Sequence, residues 1–247
     1  MRHDAGPWFV APPEAWREGT IVLPPDESHH ATKVLRVAPP DVVTVTDGAG
    51  TVARCAATAI DREGLVLEVL EKETVRRARP ELVVYQGAAK GHKVDEVVEK
   101  LAELGVAEVR VYESIRAVAR WDETKVARLN ERWAAVTRAA AKQSRSPWLT
   151  RAVAGLSWTQ VLREIANEPV SVVLWEEAEF PLRTALVGGA ERLAILVGPE
   201  GGLEGAEAEA LADAGAQLVS LGPRILRTEN AALVTVSALL YHYGVIG

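Results

Sequence analysis

The sequence predicts an α/β protein with two domains, a small β-rich domain over residues 1–75 and a larger parallel-sheet domain over residues 76–247. Two observations support this prediction. Short β-type runs separated by turn-forming pairs fill the first 75 residues, whereas beyond Pro80 apolar runs alternate with longer helical patterns. Many short strands with tight turns favour a small barrel, and strand–helix alternation favours a parallel sheet covered by helices on both faces.

Turn-forming residues divide the first domain into four short strands and one helix. Proline pairs and Asp-Gly or Glu-Gly steps separate the apolar, β-branched runs, which is the pattern of turns between strands. A short helix is expected at His29–Val37, where it would present Lys33 and Arg36. The predicted strands are Ile21–Leu23, Val42–Thr46, Thr51–Ala57 and Leu65–Leu70.

The second domain begins after the basic segment that ends at Arg79-Pro80. Apolar runs and helical patterns follow, and we expect Asn230 to cap the last helix with its side chain. The predicted strands are Leu82–Gln86, Ala107–Tyr112, Ser171–Trp175, Leu193–Val197 and Gln217–Leu221. The predicted helices are Val94–Leu104, Asp122–Lys142, Ser157–Ala166, Glu204–Ala214 and Asn230–Tyr241.

Basic residues concentrate in the middle of an acidic chain. The net charge of the protein is −6, but residues 76–151 carry 16 Lys and Arg against 10 Asp and Glu, a net charge of +6. A local basic surface on an acidic body is typical of a selective polyanion binder, although chance patchiness gives the same distribution.

The long helix predicted at 122–142 is part of this basic region. Its apolar stripe comprises Val126, Leu129, Trp133, Val136 and Ala140. Its basic residues occupy the adjoining arc and are Lys125, Arg128, Arg132, Arg138 and Lys142. A solvated surface helix has the same pattern, and the neighbouring loop Gln143–Ser146 favours a helix that faces RNA.

The composition excludes several classes of protein. With 48% hydrophobic and 25% charged residues, the chain is not disordered. The single cysteine, Cys55, excludes an internal disulfide and a cysteine-cluster metal site, and the five histidines lack metal-binding spacing, so we expect no metal. Neither a charged-then-apolar leader nor a run of about eighteen apolar residues is present, which predicts a soluble cytoplasmic protein.

Two loops near the C-terminus combine glycines with charged residues. Val197–Leu203 (VGPEGGL) follows an apolar strand and opens a helix, where glycines let the backbone approach a ligand. Leu221–Ala232 (LGPRILRTENAA) also joins a strand to a helix, and its charges are costly unless they are paired or bind a ligand. Turns that bind nothing and a structural Arg–Glu network are the alternatives, and the glycine spacing of dinucleotide enzymes is absent.

Together with the upstream segments, these loops resemble the RsmE family of RNA methyltransferases, which belongs to the SPOUT superfamily. The pair GPEGG and LGPRILRTENAA is similar to the signature of that family. Further family elements have counterparts in the same order at His30–Arg36 with Val42–Gly48, Lys90–Lys93 with Glu99–Val106, Gln143–Arg145 and Trp175-Glu176. The resemblance extends over essentially the whole chain.

The resemblance implies a C-terminal SPOUT domain with a knotted parallel sheet, preceded by a PUA-like β-barrel that binds RNA. It also implies a homodimer that methylates N3 of a uridine in small-subunit (16S) ribosomal RNA with S-adenosyl-L-methionine (SAM). By this resemblance the cofactor would be held by Val197, Gly198, Pro199, Glu200, Gly201, Gly202, Leu221, Gly222, Ile225, Leu226 and Ala231.

Four charged residues of the two loops are candidates for catalysis. Arg227 and Arg224 would stabilise the negative charge that develops on the uracil oxygens, and Glu200 or Glu229 would orient the base or accept the N3 proton. Because N3 lies on the Watson–Crick edge, the target uridine must be unpaired or flipped out. The residues expected to contact RNA are His30, Lys33, Arg36, Lys90, Lys93, Arg138, Gln143 and Arg145.

The chain departs from the family pattern at three places. Lys142 stands where a glutamate is usual, the loop Ser146–Thr150 is shortened, and Asn230 replaces the usual threonine after Glu229. Two alternative functions stay open. Another SPOUT enzyme, acting on ribose 2′-OH or on tRNA, would share the fold, and a non-catalytic RNA-binding protein would share the basic surface without binding SAM.

Overall fold

The computed structural model describes residues 6–89, 93–114, 121–186 and 188–247. Its contacts divide the chain into two compact units. Unit 1 contains the residues up to Arg77 together with Ala141–Leu149, and unit 2 contains Ala78–Ala140 and Thr150–Gly247. Each unit is built around its own six-stranded sheet.

The sheet of unit 1 is mostly antiparallel. Its strands are β1 (Trp8–Val10), β2 (Trp16–Arg17), β3 (Thr20–Val22), β4 (Val42–Thr46), β5 (Thr51–Ile60) and β6 (Leu65–Thr74). They are ordered β1-β4-β5-β6-β3-β2, and only β1 and β4 pair in parallel. Phe9, Ile21 and Leu67 are fully buried in its core together with Cys55. Burial raises the pKa of the Cys55 thiol to about 12, so the thiol stays protonated at neutral pH.

A helical segment between β3 and β4 differs from the prediction. Helix α1 (Pro25–His29) continues into a π-helical turn at His30–Val34, so the helix predicted at His29–Val37 starts and ends earlier than expected. The reason for the early start is Pro25, since proline at the first helical position has the φ that a helix needs. The segment ends at Arg36, whose φ of 60° is uncommon for a residue with a side chain.

Residues 141–149 complete unit 1. The ring of Trp148 lies against Gly50, where a Cβ atom would be 2.4 Å from the ring and the φ of +99° also favours glycine. Lys142 Nζ lies 2.7 Å from Glu27 Oε1, and the Glu27 side chain is only 4% exposed. The lysine that departs from the family pattern therefore neutralises a buried carboxylate.

The sheet of unit 2 is entirely parallel. Its strands are β7 (Glu81–Gly87), β8 (Glu108–Tyr112), β9 (Arg151–Leu156), β10 (Ser171–Leu174), β11 (Arg192–Val197) and β12 (Gln217–Val219). Their order is β12-β10-β11-β7-β8-β9. All four residues of β10 are buried, as expected for a strand covered on both faces.

Five helices cover this sheet. They are α2 (Lys93–Glu103), α3 (Glu123–Ser144), α4 (Trp158–Ile165), α5 (Gly205–Asp213) and α6 (Thr228–His242). Helices α2, α3 and α6 pack on one face, where Leu101, Trp133 and Leu239 join one core cluster. Helices α4 and α5 pack on the other face, where Val161 and Leu211 join a second cluster. Among the described residues, no helix combines the length and the apolar character needed to span a membrane.

Two further differences from the sequence prediction concern unit 2. Strand β9 is not predicted, because Gly155 interrupts its apolar run. In the structure Gly155 has a φ of +84° and lies against Val126 of α3. Helix α6 begins at Thr228, and its N-cap is Arg227. The prediction that Asn230 caps this helix is therefore wrong, since the Asn230 N–H already donates to the Arg227 carbonyl inside the first turn.

Candidate functional site

A cleft of about 590 Å³ opens at the carboxyl ends of β10, β11 and β12. Three loops line it, one after each of these strands, and the last loop leads into α6. The residues predicted to hold the cofactor all lie in its wall, namely Val197, Gly198, Pro199, Glu200, Gly201, Gly202, Leu221, Gly222, Ile225, Leu226 and Ala231. Ligands of parallel α/β sheets bind in this position, outside the carboxyl ends of the strands.

A hydrogen-bond chain fixes the loops of the cleft relative to one another. Gln86, buried at the end of β7, donates from Nε2 to Thr228 Oγ1 over 2.7 Å. Thr228 Oγ1 in turn donates to the carbonyl of Gly198 over 2.6 Å. The start of α6 is thereby attached to the loop after β11. The end of β7 approaches the same loop, because a Cβ atom on Gly87 would lie 2.4 Å from the backbone nitrogen of Pro199.

The glycines of the cleft have two different roles. Gly202 has a φ of +74°, and its N–H donates to the Pro199 carbonyl over 3.0 Å, so it closes the turn after β11. Gly222 has a φ of +107° in the loop after β12. Gly201 differs because its φ is not positive and a Cβ atom there would meet no atom within 4 Å. Its missing side chain therefore leaves open space beside the cleft and is not required by the packing of the fold.

Four charged side chains cluster beside the loop after β11. Lys93, in the first described turn of α2, forms an ion pair with Glu200, and their side chains are 42% and 33% exposed. The hydrogen bond to Glu200 raises the pKa of Lys93, and the charges of Glu229 and Arg227 act on the same ammonium group. Of these four described side chains, Lys93 and Arg227 are cations and Glu200 and Glu229 are carboxylates.

The predicted catalytic residues occupy different positions in this site. Arg224, Arg227 and Glu200 line the cleft, whereas Glu229 is absent from its wall. The buried Oε2 atom of Glu229 has no hydrogen-bond partner within the described chain. No ion pair joins Arg227 to Glu229 in the described structure, so the structural Arg–Glu pair considered from the sequence does not form here.

The predicted RNA contacts are divided between the two units. Unit 1 carries His30, Lys33, Arg36, Gln143 and Arg145, and unit 2 carries Lys93 and Arg138. Lys90 lies outside the described residues. Arg36 and Arg145 have φ values of 60° and 56°, and they are the non-glycine residues with positive φ in the described chain. A left-handed backbone costs a residue with a side chain about 1–3 kcal/mol, and strained residues of this kind cluster at active sites and ligand sites.

The sequence analysis assigned no binding role to seven residues of the cleft wall, although five of them lie in segments that it had singled out. The seven residues are Leu174, Trp175, Glu176, Leu203, Ser220, Pro223 and Thr228. The sequence held one signal for Thr228. Gln86 is a polar residue at the end of a mostly apolar strand, and a buried polar residue needs a hydrogen-bond partner, which here is Thr228. Within the described chain, no group of three or more His, Cys, Asp or Glu side chains is arranged to hold a metal ion.

Two family models match the chain. The RNA methyltransferase domain matches residues 77–240, and the RNA methyltransferase PUA domain matches residues 23–70. A relative from Mycobacterium tuberculosis, named ribosomal RNA small subunit methyltransferase E, is 35% identical over 222 residues, covering 88% of this chain and 85% of the relative. The Bacillus subtilis protein of the same name is 30% identical over 230 residues, covering 90% of each chain.

Solved structures give the same result. The ribosomal RNA small subunit methyltransferase E of Neisseria gonorrhoeae bound to S-adenosyl methionine superposes with a TM-score of 0.86 at 26% identity, covering 96% of this chain and 98% of that chain. A putative methyltransferase from Legionella pneumophila in complex with SAM superposes equally well, with a TM-score of 0.86 at 25% identity and the same coverage. The comparisons confirm the expected fold class, a SPOUT-type α/β domain with an N-terminal PUA-like domain.

Proposed function

We propose that this chain, which belongs to the ribosomal RNA small subunit methyltransferase E family, methylates N3 of a uridine in 16S ribosomal RNA with SAM as the methyl donor. The observation that carries the proposal is the single cleft formed by the glycine loops after β11 and β12. The two loops are the segments that resemble the family signature, and the fold brings them together with Arg224 and Arg227 at one end of the sheet.

The cleft fits SAM in size and in chemistry. Its volume of about 590 Å³ lies within the range of roughly 300–1,000 Å³ that is usual for small-molecule sites. Leu221, Leu226 and Ala231 offer apolar surface, and Gly201 leaves space at the wall. SAM, when bound, supplies a methyl group on a sulfonium sulfur. The role of the cleft is to hold that group in line with the attacking nitrogen, and orientation of this kind lowers the barrier substantially.

The loop after β12 supplies the charge that the reaction needs. Loss of the N3 proton leaves negative charge on the uracil oxygens O2 and O4, and fixed donors stabilise it. Arg227 is suited to this role because its guanidinium lies at the cleft and has no acidic partner within the described chain. Arg224 is a second exposed cation of the same loop. We assign the orientation of the base or the acceptance of the proton to Glu200 or Glu229.

Unit 1 and the basic part of α3 would bind the RNA. The family model of the RNA methyltransferase PUA domain matches residues 23–70, which lie in unit 1. Lys33 and Arg36 are exposed at the end of the π-helical turn. Gln143 is exposed in the last turn of α3, and Arg145 is exposed directly after it. Together with His30, Lys90 and Arg138, these residues would contact phosphates and hold the RNA while the target uridine enters the cleft unpaired.

A second copy of the chain would cover the outer face of α6. The helix buries Val236 and Leu239 in the core and exposes Val234 and Tyr241, which are 47% and 72% exposed and lie two turns apart on one side. In the loop before α6, Ile225 is 89% exposed. From these exposed apolar side chains and the family resemblance we infer a homodimer that works in the cytoplasm, where ribosomal subunits are assembled.

Nucleoside analysis of ribosomal RNA tests the proposal. In a strain that lacks the gene, digestion of 16S RNA and mass spectrometry should show the loss of one 3-methyluridine. Loss of a ribose-methylated nucleoside or of a tRNA nucleoside would point to another SPOUT reaction. If calorimetry detects RNA binding but no SAM binding, the non-catalytic RNA-binding alternative is correct.

A further inference from the structure

We propose that Lys93 is a positioning residue for methyl transfer, which acts by holding the carboxylate of Glu200 at the wall of the cleft, and that it is not a phosphate ligand. The inference rests on the function proposed above and assigns a role to a side chain that the sequence had suggested for RNA binding.

Lys93 already has an acidic partner at the cleft. Its ammonium group is already engaged by Glu200, a residue of the loop after β11 that lines the cleft. This ion pair spans 107 positions of sequence, so it joins helix α2 to the loop that contains the glycines. A phosphate would have to displace the Glu200 carboxylate and then lie beside it, where like charges repel.

The charges around Lys93 also favour this role. The Glu200 carboxylate already opposes the ammonium charge of Lys93, which weakens the attraction of that group for an RNA phosphate. Glu229 and Arg227 also act electrostatically on Lys93. Glu200 and Arg227 both line the cleft.

Lys93 also restrains the loop after β11. Glu200 directly precedes Gly201 and both residues line the cleft, so a contact that holds Glu200 restrains this part of the wall. Gly198 at the start of the same loop is held by Thr228. Lys93 therefore restrains the loop near its middle, and Thr228 restrains it at its beginning.

The test compares Lys93→Met, Lys93→Arg and a matched control, Lys100→Met. Lys100 is an exposed lysine of the same helix, outside the cleft wall. Turnover at saturating RNA, the KM for RNA, the equilibrium RNA affinity across a series of salt concentrations and the SAM affinity are measured for each protein. Melting temperatures show that each variant is folded.

If Lys93 positions Glu200, Lys93→Met should lower kcat by about 10- to 100-fold, the scale of a small misplacement at a reacting centre. RNA affinity and its salt dependence should equal those of the wild type. Lys93→Arg should restore most of the turnover, because it keeps the charge opposite Glu200. Lys100→Met should behave as the wild type. In combination with Glu200→Gln, Lys93→Met should cause little further loss, since both changes remove the same interaction.

Two results would overturn the inference. The first is a Lys93→Met variant with unchanged kcat and with an RNA affinity whose salt slope falls by about one, the value for one lost phosphate contact. The second is a variant that matches the wild type in every measurement. The proposed function fails separately, when the wild-type protein itself makes no methylated nucleoside.

Discussion

Thr228 Oγ1 donates a hydrogen bond of 2.6 Å to the carbonyl of Gly198, and through this bond the first turn of α6 holds the loop after β11. The same oxygen accepts a hydrogen bond from Gln86 at the end of β7. Three segments that are distant in sequence therefore meet at one hydroxyl group beside the cleft. The geometry of the cleft depends on this contact.

Replacing Thr228 by valine should loosen the cleft. The change keeps the side-chain volume but leaves the Gly198 carbonyl and the Gln86 amide without this partner, which costs about 1–3 kcal/mol of the free energy of unfolding. SAM affinity should fall as well, because the loop is less preorganised. Calorimetric SAM binding and denaturant unfolding measure the two effects.

Thr235→Val is the matched control for this change. Thr235 lies on the same helix and is fully buried, but its Oγ1 has no hydrogen-bond partner in the described structure. Its replacement should leave stability unchanged or raise it, and should leave SAM affinity unchanged. Equal losses of stability and of SAM affinity in the two valine variants would show that the hydrogen bonds of Thr228 do not hold the cleft.

Replacing Arg36 or Arg145 by glycine should weaken RNA binding without lowering the stability of the fold. Arg36 and Arg145 have left-handed backbones, which cost a residue with a side chain about 1–2 kcal/mol, so Arg36→Gly and Arg145→Gly should not destabilise the fold. Each change should weaken RNA binding and reduce the salt slope by about one. Arg62→Gly, at an exposed position of unit 1, is the control and should leave RNA affinity unchanged. Unaltered RNA binding in both test variants would show that these arginines face solvent only.

Removing Lys142 should leave the buried carboxylate of Glu27 without its ion-pair partner. Glu27 is 4% exposed and pairs with Lys142, so Lys142→Met should lower the free energy of unfolding by about 3 kcal/mol, the scale for breaking a buried ion pair. The double variant with Glu27→Met should recover much of this loss. Arg128→Met, at an exposed position of α3, is expected to be neutral. A Lys142→Met variant with wild-type stability in denaturant titrations would show that Lys142 does not stabilise the buried Glu27 carboxylate.

Arg227→Ala should reduce kcat by roughly 10²-fold or more, which is the effect of losing one donor to a developing oxyanion. Arg227→Lys should restore only part of the rate, because an ammonium group does not reproduce the planar guanidinium fork. SAM affinity and melting temperature should change little, since Arg227 has no acidic partner within the described chain. Single-turnover methylation and calorimetric SAM binding on the same variant check this. Loss of SAM binding together with turnover would instead indicate a structural role.

The sequence predicts much of this fold because the period of its apolar residues changes near residue 80. Strands such as Val42–Thr46 and Leu193–Val197 are recognisable from their apolar runs, and parallel strands place their following loops at one edge. That rule is enough to bring the two glycine loops together in one cleft.

Contacts between distant segments could not be predicted in this way. Lys93 and Glu200 are 107 residues apart, and nothing in their local sequence indicates that they pair. The inclusion of residues 141–149 in unit 1 depends on packing such as that of Trp148 against Gly50. Helix α6 starts two residues before Asn230, and the hydrogen bond from Thr228 in its first turn to the Gly198 carbonyl joins residues 30 positions apart.

The most direct test of the proposed function follows the methyl group itself. Purified protein is incubated with SAM that carries an isotopically labelled methyl group and with small ribosomal subunits from a strain that lacks the gene, and the RNA is then digested for mass spectrometry. Gly201→Val and Gly205→Val are compared with the wild type. At neither glycine would a Cβ atom meet another atom within 4 Å, but only Gly201 lines the cleft. We expect labelled 3-methyluridine with the wild type and with Gly205→Val, and none with Gly201→Val. Label in a ribose-methylated nucleoside, or no label with the wild type, would contradict it.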